Sequence, residues 1–198
     1  MFFVIDSIDG GGSETQGKLV AKALAKKAKK TIVKSFPEYK TPIGKTIREF
    51  LYDNKSLPVE QQFLLYGLQF VVASAAIAQE SKKNVVIADR YFTTTLVYQT
   101  LQGMREDVCL RFAKDFGIIV PQVVFFLDVS PETAYTWKHG EGKEINRWEQ
   151  DLAFMKKTYK KYRDLCDRNV FAKWIRINGE QSKEAVTKEI ISHLEVSS

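Results

Sequence analysis

Residues 2–16 read FFVIDSIDGGGSETQ, and this stretch decides the class of fold. Its first part, residues 2–6, is short, apolar and β-favouring, as in a buried strand. Three consecutive glycines at 10–12 follow, and a helical pattern begins at about Thr15. Glycines let the backbone turn sharply, and the free N–H groups of such a loop and of a helix start bind anions. The stretch therefore predicts a strand, a phosphate-binding loop and a helix.

The rest of the chain alternates between apolar strands and amphipathic helices in the same way. Further strands are expected at residues 31–36, 84–89, 122–129 and 174–178. Helices are expected at 15–29, 42–54, 58–81, 92–102, 105–116, from 131, at 148–168 and at 183–194, with a polar segment at 138–147. Continuous apolar strands that alternate with helices are typical of a parallel sheet covered on both faces. We therefore predict an α/β fold in one domain, residues 1–198.

Composition narrows the class of protein. The chain has 198 residues, of which 44% are hydrophobic and 27% charged, as in a globular domain rather than a disordered one. The net charge of +6 suits nucleic acid, an anionic surface or phosphorylated small molecules, and charge alone does not choose among them. Four lysines at 26–30 lie at the predicted end of a helix, where cations suit the dipole, and this favours a structural role over nucleic-acid contact.

Cysteine usage and hydropathy bear on the compartment. Cys109 and Cys166 lie far apart without metal-ligand spacing, so we expect no disulfide, no zinc site and a reducing environment. The N-terminus lacks the basic region of a signal peptide. Residues 63–78 are uncharged, but they are fewer than the ~20 that a bilayer span requires and include Gln69 and Ser74. A cytoplasmic protein is expected, with no membrane or nucleic-acid partner.

Polar loops follow the predicted strands that end near residues 6, 36, 89 and 129. In open parallel sheets, ligands bind outside the carboxyl ends of the strands, so these loops are where function is expected.

The glycine loop departs from the P-loop pattern GxxxxGK[ST]. Gly12 matches, but Ser7, Ser13 and Glu14 replace the first glycine, the lysine and the Ser/Thr. Ser13 and Gln16 also have the spacing of a capping box, so Ser13 has an alternative structural role as the helix cap. A cap and a phosphate contact are compatible, because both use the same end of the helix.

Five segments together resemble the motifs of thymidylate kinases. IDGGGSETQ (8–16) is similar to the family's IDGxGKxTQ, FPEYKTPIGKTI (36–47) to FPER-T-x-IG and ADRYFTTTLVYQ (88–99) to DRY-x-x-S-x-x-AYQ. FFLDVSPETA (125–134) is similar to LDV-x-PE-x-A, and NRWE (146–149) to the DR-x-E end of a mobile lid. The resemblance implies a P-loop NTPase-type five-stranded parallel sheet, a lid at about 137–149, and a dimer formed through long helices.

The resemblance also implies a role for individual residues. ATP phosphates would be bound by Gly10, Gly11, Gly12, Ser13, Glu14 and Thr15. Asp9 and Asp89 would organise Mg²⁺ and phosphates. Catalysis would depend on Asp9, on Arg90, which holds the acceptor phosphate, and on Arg147, which closes with the lid. The acceptor would be lined by Phe36, Pro37, Tyr39, Tyr66, Phe70, Arg90, Thr94, Tyr98 and Gln99. Phosphoryl transfer requires positioning and positive charge rather than covalent chemistry, which suits such a set.

Structural alternatives remain for three of these assignments. Asp89 and Arg90 could form an ion pair at a strand end. Tyr98 and Gln99 could belong to the core, and Arg147 could be a solvated lid residue.

Four cationic positions of the family pattern are lost. Ser13 stands for the P-loop lysine, Tyr39 for the arginine of FPER, Phe70 for an arginine that reads the thymine edge, and Trp137 for an arginine at the lid entrance. Loss of one preorganised charge costs about 10²–10³ in rate. A conventional kinase rate therefore requires compensation.

The candidate replacements for the lysine are Lys138 and Lys143 in the lid, Lys40 and Lys18. The lid lysines are favoured, because lid residues can swing over phosphates. Lys18 projects from the body of the first helix, one turn in, and is not expected to reach the loop.

Two functions from different classes fit these features. The first is a nucleoside-monophosphate kinase, which uses ATP and Mg²⁺ to phosphorylate dTMP or a related monophosphate. The second is a catalytically impaired nucleotide-binding pseudokinase that acts as a sensor or assembly partner, which the loss of the lysine at Ser13 would favour. Nucleic-acid binding is not expected, because the basic excess shows no aromatic interleaving and no recognisable module.

The helix predicted at 58–81 also bears on assembly. It is apolar nearly all round, whereas a surface helix shows a polar face. We expect it to be covered on both sides, with a second copy of the chain on the outer side.

Overall fold

The computed structural model describes residues 1–26, 30–53, 55–140, 142 and 144–196. Within these ranges five strands form one sheet, in the order β2-β3-β1-β4-β5. The strands are β1 (Phe2–Asp6), β2 (Thr31–Ser35), β3 (Val85–Asp89), β4 (Val123–Asp128) and β5 (Trp174–Asn178). Every neighbouring pair is parallel. The predicted α/β fold with a five-stranded parallel sheet of the P-loop NTPase type is confirmed.

Helices connect these strands. In the described ranges they are α1 (Ser13–Ala25), α2 (Pro42–Tyr52), α3 (Val59–Glu80), α4 (Phe92–Leu101), α5 (Glu106–Asp115), α6 (Pro131–Gly140), α7 (Leu152–Asp167) and α8 (Lys183–Val196). The helices α1 and α8 pack together, and α3, α4 and α7 form a second packed series. The core includes residues 2–5 of β1, of which none is more than 3% exposed.

Several helix boundaries differ from the predicted ones, and two of them lie on either side of the segment before α7. The helix α7 starts four residues later than expected, because Asp151 caps it by accepting a hydrogen bond from the backbone N–H of Phe154 at 3.0 Å. The residues before it form a separate turn, in which Asn146 Oδ1 accepts from the N–H of Trp148 at 2.8 Å. The polar segment expected at 138–147 begins later than predicted, because α6 continues to Gly140.

The predicted capping box at the start of α1 is wrong. The N-cap is Gly12, whose φ of 89° lies in the left-handed region, and no side chain caps the helix. Gln16 instead donates from Nε2 to the Lys183 carbonyl at 3.1 Å and accepts from the Thr187 hydroxyl at 2.8 Å. The tertiary contact with α8 therefore supplies the partners that a capping box would have supplied locally.

The helix α3 is buried on one face only. By length and composition it is the one helix among the described residues that could cross a membrane. Its Phe63, Phe70 and Ile77 are buried, together with polar side chains such as Gln69 and Ser74, as in a core helix. The opposite face carries an outer stripe of Leu64, Leu68 and Val72, which are 55%, 46% and 65% exposed. That a second copy of the chain covers this outer stripe stays a prediction.

Register brings the functional loops to one edge of the sheet. Asp89 at the end of β3 lies opposite Ile5 of β1 and Ser35 of β2. Asp6 at the end of β1 lies opposite Phe126 of β4. Because the strands are parallel, the loops after β1, β2 and β3 open on the same side, where ligands bind in folds of this kind.

Candidate active site

A cleft of about 430 Å³ lies at this edge of the sheet. It is lined by residues of the glycine loop, the loop after β2, the end of β3 and helices α2, α3, α4 and α6. The predicted site residues that line it are residues 9–15, Phe36, Pro37, Tyr39, Tyr66, Phe70, Asp89, Arg90, Thr94, Tyr98 and Gln99. Arg147 is not among its lining residues. The fold therefore brings together residues from four separate sequence segments.

The glycine loop has the backbone that an anion site requires. Gly10 has φ 79° and Gly12 has φ 89°, a region that favours glycine. A Cβ on Gly10 would also lie 2.4 Å from the carbonyl oxygen of Ala134, so only glycine lets α6 pack this closely on the loop. The Gly12 carbonyl accepts the first helical hydrogen bond, from the Gln16 N–H at 3.0 Å. The loop thus leads directly into the positive end of α1.

Asp9 and Arg90 form a charged pair in the cleft. Arg90 Nη2 lies 2.5 Å from Asp9 Oδ1, and Arg90 Nη1 donates to the Ser7 carbonyl at 3.2 Å. The Tyr98 hydroxyl donates to the other carboxylate oxygen of Asp9 at 2.7 Å. Arg90 has φ 62°, in the left-handed region that non-glycine residues rarely adopt, and such backbone strain clusters at functional sites. Each oxygen of Asp9 therefore accepts one hydrogen bond from a protein donor, and its predicted role with Mg²⁺ stays a prediction.

The charge of Arg90 is secure. Burial acts to lower the pKa of Arg90, but the charge of Asp9 and the neighbouring tyrosines outweigh burial, so its pKa is raised. The alternative of a structural ion pair between Asp89 and Arg90 is not realised in the described residues, because the close carboxylate is Asp9.

Asp89 is the better candidate for a cation. Its side chain is buried, and Oδ1 has no hydrogen-bond partner among the described residues. Burial raises the pKa of Asp89, although the charge of Arg90 and the nearby hydroxyls of Ser13 and Ser35 oppose the rise. A carboxylate oxygen without a protein partner beside a phosphate loop suits Mg²⁺, which is commonly held by one or two carboxylates together with phosphates and water. No cluster of three or more metal-ligating side chains occurs in the described part of the chain.

Asp6, which the sequence analysis did not single out, anchors the floor below the loop. It is fully buried and accepts from the Thr93 hydroxyl at 2.6 Å and from the Tyr162 hydroxyl at 2.8 Å. The Ser7 N–H donates to it at 2.9 Å, and the predicted substrate residue Thr94 donates its hydroxyl to it at 3.0 Å. The sequence signal that could have identified Asp6 is a charged residue at the end of an apolar strand.

Two residues that break the P-loop pattern occupy different environments. Ser13 is buried at the first position of α1, beside Asp89. Glu14 is exposed, and its carboxylate lies 2.5 Å from the ammonium of Lys18 one turn along the helix. The pair offsets the negative charge that Glu14 would otherwise add beside the phosphates. Lys18 is also exposed and does not line the cleft.

Tyrosines form one wall of the cleft. The rings of Tyr39 and Tyr52 meet edge to face with centroids 6.4 Å apart, and Tyr66 lies beside them. Burial raises the pKa of Tyr39 and of Tyr66, so both hydroxyls stay protonated and able to donate. Tyr52 was not predicted. This wall supplies aromatic surface and neutral donors, and at Tyr39 it does so where the motif that the sequence resembles has an arginine.

Phe36 and Phe70 make the floor of this part of the cleft. Their ring centroids lie 5.1 Å apart, and Phe70 also packs edge to face on Tyr91 at 4.9 Å. Phe70 is only 2% exposed, so it acts mainly as core and offers no polar group to a base.

Two glutamines leave one donor and one acceptor without protein partners. Gln69 Oε1 accepts from the Glu38 N–H at 2.5 Å, so its Nε2 remains as an unpartnered buried donor. Gln62 donates from Nε2 to the Leu57 carbonyl at 2.8 Å, which turns its Oε1 toward Gln99 Nε2 at 3.4 Å. Gln99 Oε1 is therefore an unpartnered buried acceptor. Gln69 and Gln99 both line the cleft. Their hydrogen bonds determine which amide atom has no partner, Nε2 in Gln69 and Oε1 in Gln99.

The lid segment contributes two charged residues to the cleft. Lys138 of α6 and Glu149 line it, with Lys138 Nζ 3.0 Å from Glu149 Oε1. Arg147 instead lies over the ring of Phe50, 4.4 Å from its centroid, and its role in lid closure stays a prediction. Trp137 is 41% exposed and does not line the cleft. The other favoured lid lysine, Lys143, is outside the described residues.

Comparison with known proteins identifies the family. The family model described as thymidylate kinase matches residues 5–190. A probable thymidylate kinase of Methanocaldococcus jannaschii is 31% identical over 196 residues, which cover 98% of this chain and 95% of that protein. The thymidylate kinase of Caldanaerobacter subterraneus subsp. tengcongensis is 30% identical over 203 residues, with 98% and 94% covered. The resemblance read from the motifs is confirmed, and the chain belongs to the thymidylate kinase family.

Proposed function

We propose that the protein transfers the γ-phosphoryl group of ATP to a deoxynucleoside monophosphate, with dTMP as the preferred acceptor. The bond between the β,γ-bridging oxygen and the γ-phosphorus breaks, a bond to an acceptor phosphate oxygen forms, and ADP and dTDP leave. The observation that carries the proposal is that one cleft holds both the glycine loop and the anchored cation Arg90. Such a cleft provides the positioning and charge that phosphoryl transfer requires.

The donor side uses backbone groups and one carboxylate. The glycine loop and the N-terminus of α1 present N–H groups to the ATP phosphates. Mg²⁺ would neutralise phosphate charge, and Asp89, with its unpartnered oxygen, is the residue that fits it. Asp9 serves instead to fix Arg90 in place.

On the acceptor side, the cation Arg90 lies next to a neutral, aromatic pocket. Arg90 would bind the monophosphate, and the tyrosine wall would contact the nucleoside. Gln69 Nε2 and Gln99 Oε1 offer one donor and one acceptor for a base edge. Thymine presents an acceptor oxygen at O4 beside a donor at N3, which matches this pair. A base without this pattern would leave the two buried groups unpaired, and its binding would be weaker for that reason.

Steady-state phosphoryl transfer tests the proposal. The wild type and Ser13→Lys are assayed with ATP, Mg²⁺ and a panel of nucleoside monophosphates. We expect the wild type to phosphorylate dTMP with the highest kcat/KM in the panel. We expect Ser13→Lys to match or exceed its rate, since one preorganised charge is worth about 10²–10³ in rate.

The other outcomes separate the alternatives. Turnover by Ser13→Lys alone would mean an intact acceptor site in a disabled kinase. Failure of both proteins with every monophosphate would refute the kinase and favour the nucleotide-binding pseudokinase, which the family match does nothing to support.

We further infer that the protein works as a homodimer through the outer stripe of α3. Leu64, Leu68 and Val72 form an exposed apolar face on the helix whose other face belongs to the core. Exposed apolar surface of this kind marks contact sites. Several expectations stay predictions. They are a single catalytic domain with a lid at about 137–149, a cytoplasmic location, and the lack of a nucleic-acid or membrane partner.

A further inference from the structure

The glycine loop lacks its own cation. A P-loop lysine reaches the β- and γ-phosphates, and here Ser13 stands in its position. Arg90 lines the cleft, but its guanidinium is held by Asp9 and the Ser7 carbonyl, and the proposed function assigns it to the acceptor phosphate. Lys18 is exposed and paired with Glu14. Neither of these cations replaces the lysine.

Lys138 is placed beside the loop from a different element. A Cβ built on Gly10 would lie 3.1 Å from the Cβ of Lys138, so this side chain leaves α6 next to the phosphate loop. Apart from Arg90, Lys138 is the only cation that lines the cleft in the described part of the chain. Its side chain is 16% exposed, and Nζ lies 3.0 Å from Glu149 Oε1.

Glu149 is itself held firmly. Its other carboxylate oxygen accepts from the Asn146 N–H at 2.8 Å, and its side chain is buried. Burial acts to lower the pKa of Lys138, but the hydrogen bond and charge of Glu149 outweigh it, so the pKa of Lys138 is raised and the ammonium stays charged. An ammonium has three donors and can hold a carboxylate and a phosphate oxygen at once.

We propose that Lys138 takes over the work of the missing P-loop lysine and binds the β- and γ-phosphates of the nucleotide from α6, with Glu149 as its positioning residue. The inference rests on the proposed function for its ligand, but it can be measured without turnover. The cation comes from the lid side of the cleft, whereas a P-loop lysine comes from the start of α1.

Calorimetric binding of the non-hydrolysable analogue AMPPNP with Mg²⁺ tests the proposal. We expect Lys138→Met to bind it about 10- to 100-fold more weakly, the range for a hydrogen bond to a charged group. Lys138→Arg keeps a cation and should retain most of the affinity. The matched control is Lys156→Met, because Lys156 of α7 also pairs with α6, through Glu132 at 2.8 Å, but both side chains are exposed and lie outside the cleft.

A double variant separates phosphate binding from neutralisation of Glu149. If Lys138 only compensated a buried carboxylate, removal of both charges in Lys138→Met/Glu149→Gln would restore wild-type affinity. We expect this double variant to stay weak. Conversely, Ser13→Lys added to Lys138→Met should restore binding, because the lysine returns at its usual position.

The outcomes are distinct from those of the kinase assay. Equal affinities of wild type and Lys138→Met, with unchanged melting temperatures, would overturn the role of Lys138 whether or not dTMP is phosphorylated. Restored affinity in the double variant would overturn it as well. Weak binding by Lys138→Met and by the double variant, with rescue by Ser13→Lys, would support it even in a protein without turnover.

Discussion

Tyr162→Phe removes one hydrogen bond from the buried network below the phosphate loop. The Tyr162 hydroxyl donates to Asp6 at 2.8 Å, and both residues are fully buried. The ring stacks on Phe126 with centroids 5.3 Å apart, and phenylalanine keeps that contact. The substitution therefore tests the hydrogen bond without creating a large cavity.

The expected cost follows from the charge of the acceptor. A hydrogen bond to a charged group contributes about 1.5–3 kcal/mol. Asp6 keeps three further donors, from Ser7, Thr93 and Thr94, so we expect a loss of about 2 kcal/mol in the free energy of unfolding. For a domain of this size, that lowers Tm by about 4–8 °C.

Urea titration and thermal unfolding at neutral pH measure the effect. Tyr159→Phe is the matched control, since it lies on the same helix but its side chain is only partly buried, so water can replace the contacts of its hydroxyl with Arg163 and Asp128. We expect the control to change the free energy of unfolding by less than about 0.5 kcal/mol. If Tyr162→Phe cost no more than this control, the argument that the buried carboxylate depends on its donors would be wrong.

The pH dependence gives a second check on the same substitution. Burial raises the pKa of Asp6, opposed by the charge of Arg90 and by the hydroxyls of Thr93, Tyr162 and Thr94. The unfolded chain therefore releases this proton at lower pH than the folded protein does. The Asp6 contribution to stability is highest below the unfolded pKa and falls as pH rises through the folded pKa. The cost of Tyr162→Phe should grow over that window, because the lost donor serves the ionised form.

Three further predictions concern the acceptor loop, the surface ion pairs and the assembly. In Gly44→Ala the new Cβ would lie 2.0 Å from the Glu38 carbonyl oxygen, so we expect a loss of about 1–3 kcal/mol and a higher KM for the monophosphate. The hydrogen bonds from Arg168 lower the pKa of Glu106 to about 2, so its stabilising contribution is lost as pH falls toward that value, and Glu106→Gln should flatten the acid side of the stability profile. Leu68→Asp places a charge in the outer stripe of α3, and we expect light scattering to show a shift from dimer to monomer.

Each of these has an outcome that would contradict it. Gly140→Ala is the control for Gly44→Ala, because nothing lies within 4 Å of its Cβ, and an unchanged monophosphate KM in Gly44→Ala would refute the steric argument. Glu184→Gln, an exposed glutamate of α8, controls for loss of charge, and an acid limb that is equally steep in Glu106→Gln would refute the ion-pair argument. A wild type that is monomeric at micromolar concentration would refute the dimer.

Local patterns were sufficient to predict the fold. The apolar runs located all five strands to within about a residue at each end, and the helix at Pro42 began where proline at the first turn indicated. Hydrophobic periodicity and glycine are properties of neighbouring residues, so no tertiary information is required. The predicted helix start at Trp148 was wrong because the turn around Asn146 uses side-chain hydrogen bonds that periodicity does not report.

The residues of the candidate site were also found mostly from motifs, but their partners were not. The sequence by itself determined that a glycine loop, Asp89 and Arg90 would lie at one edge of a parallel sheet, because the loops that follow parallel strands open on the same side. Only the tertiary structure decided that Arg90 pairs with Asp9, and that Asp6 accepts from a tyrosine 156 residues away. It alone placed Lys138 beside Gly10 and left Arg147 on Phe50. These contacts depend on how distant elements pack, and a side chain's partner is decided by that packing rather than by its sequence neighbours.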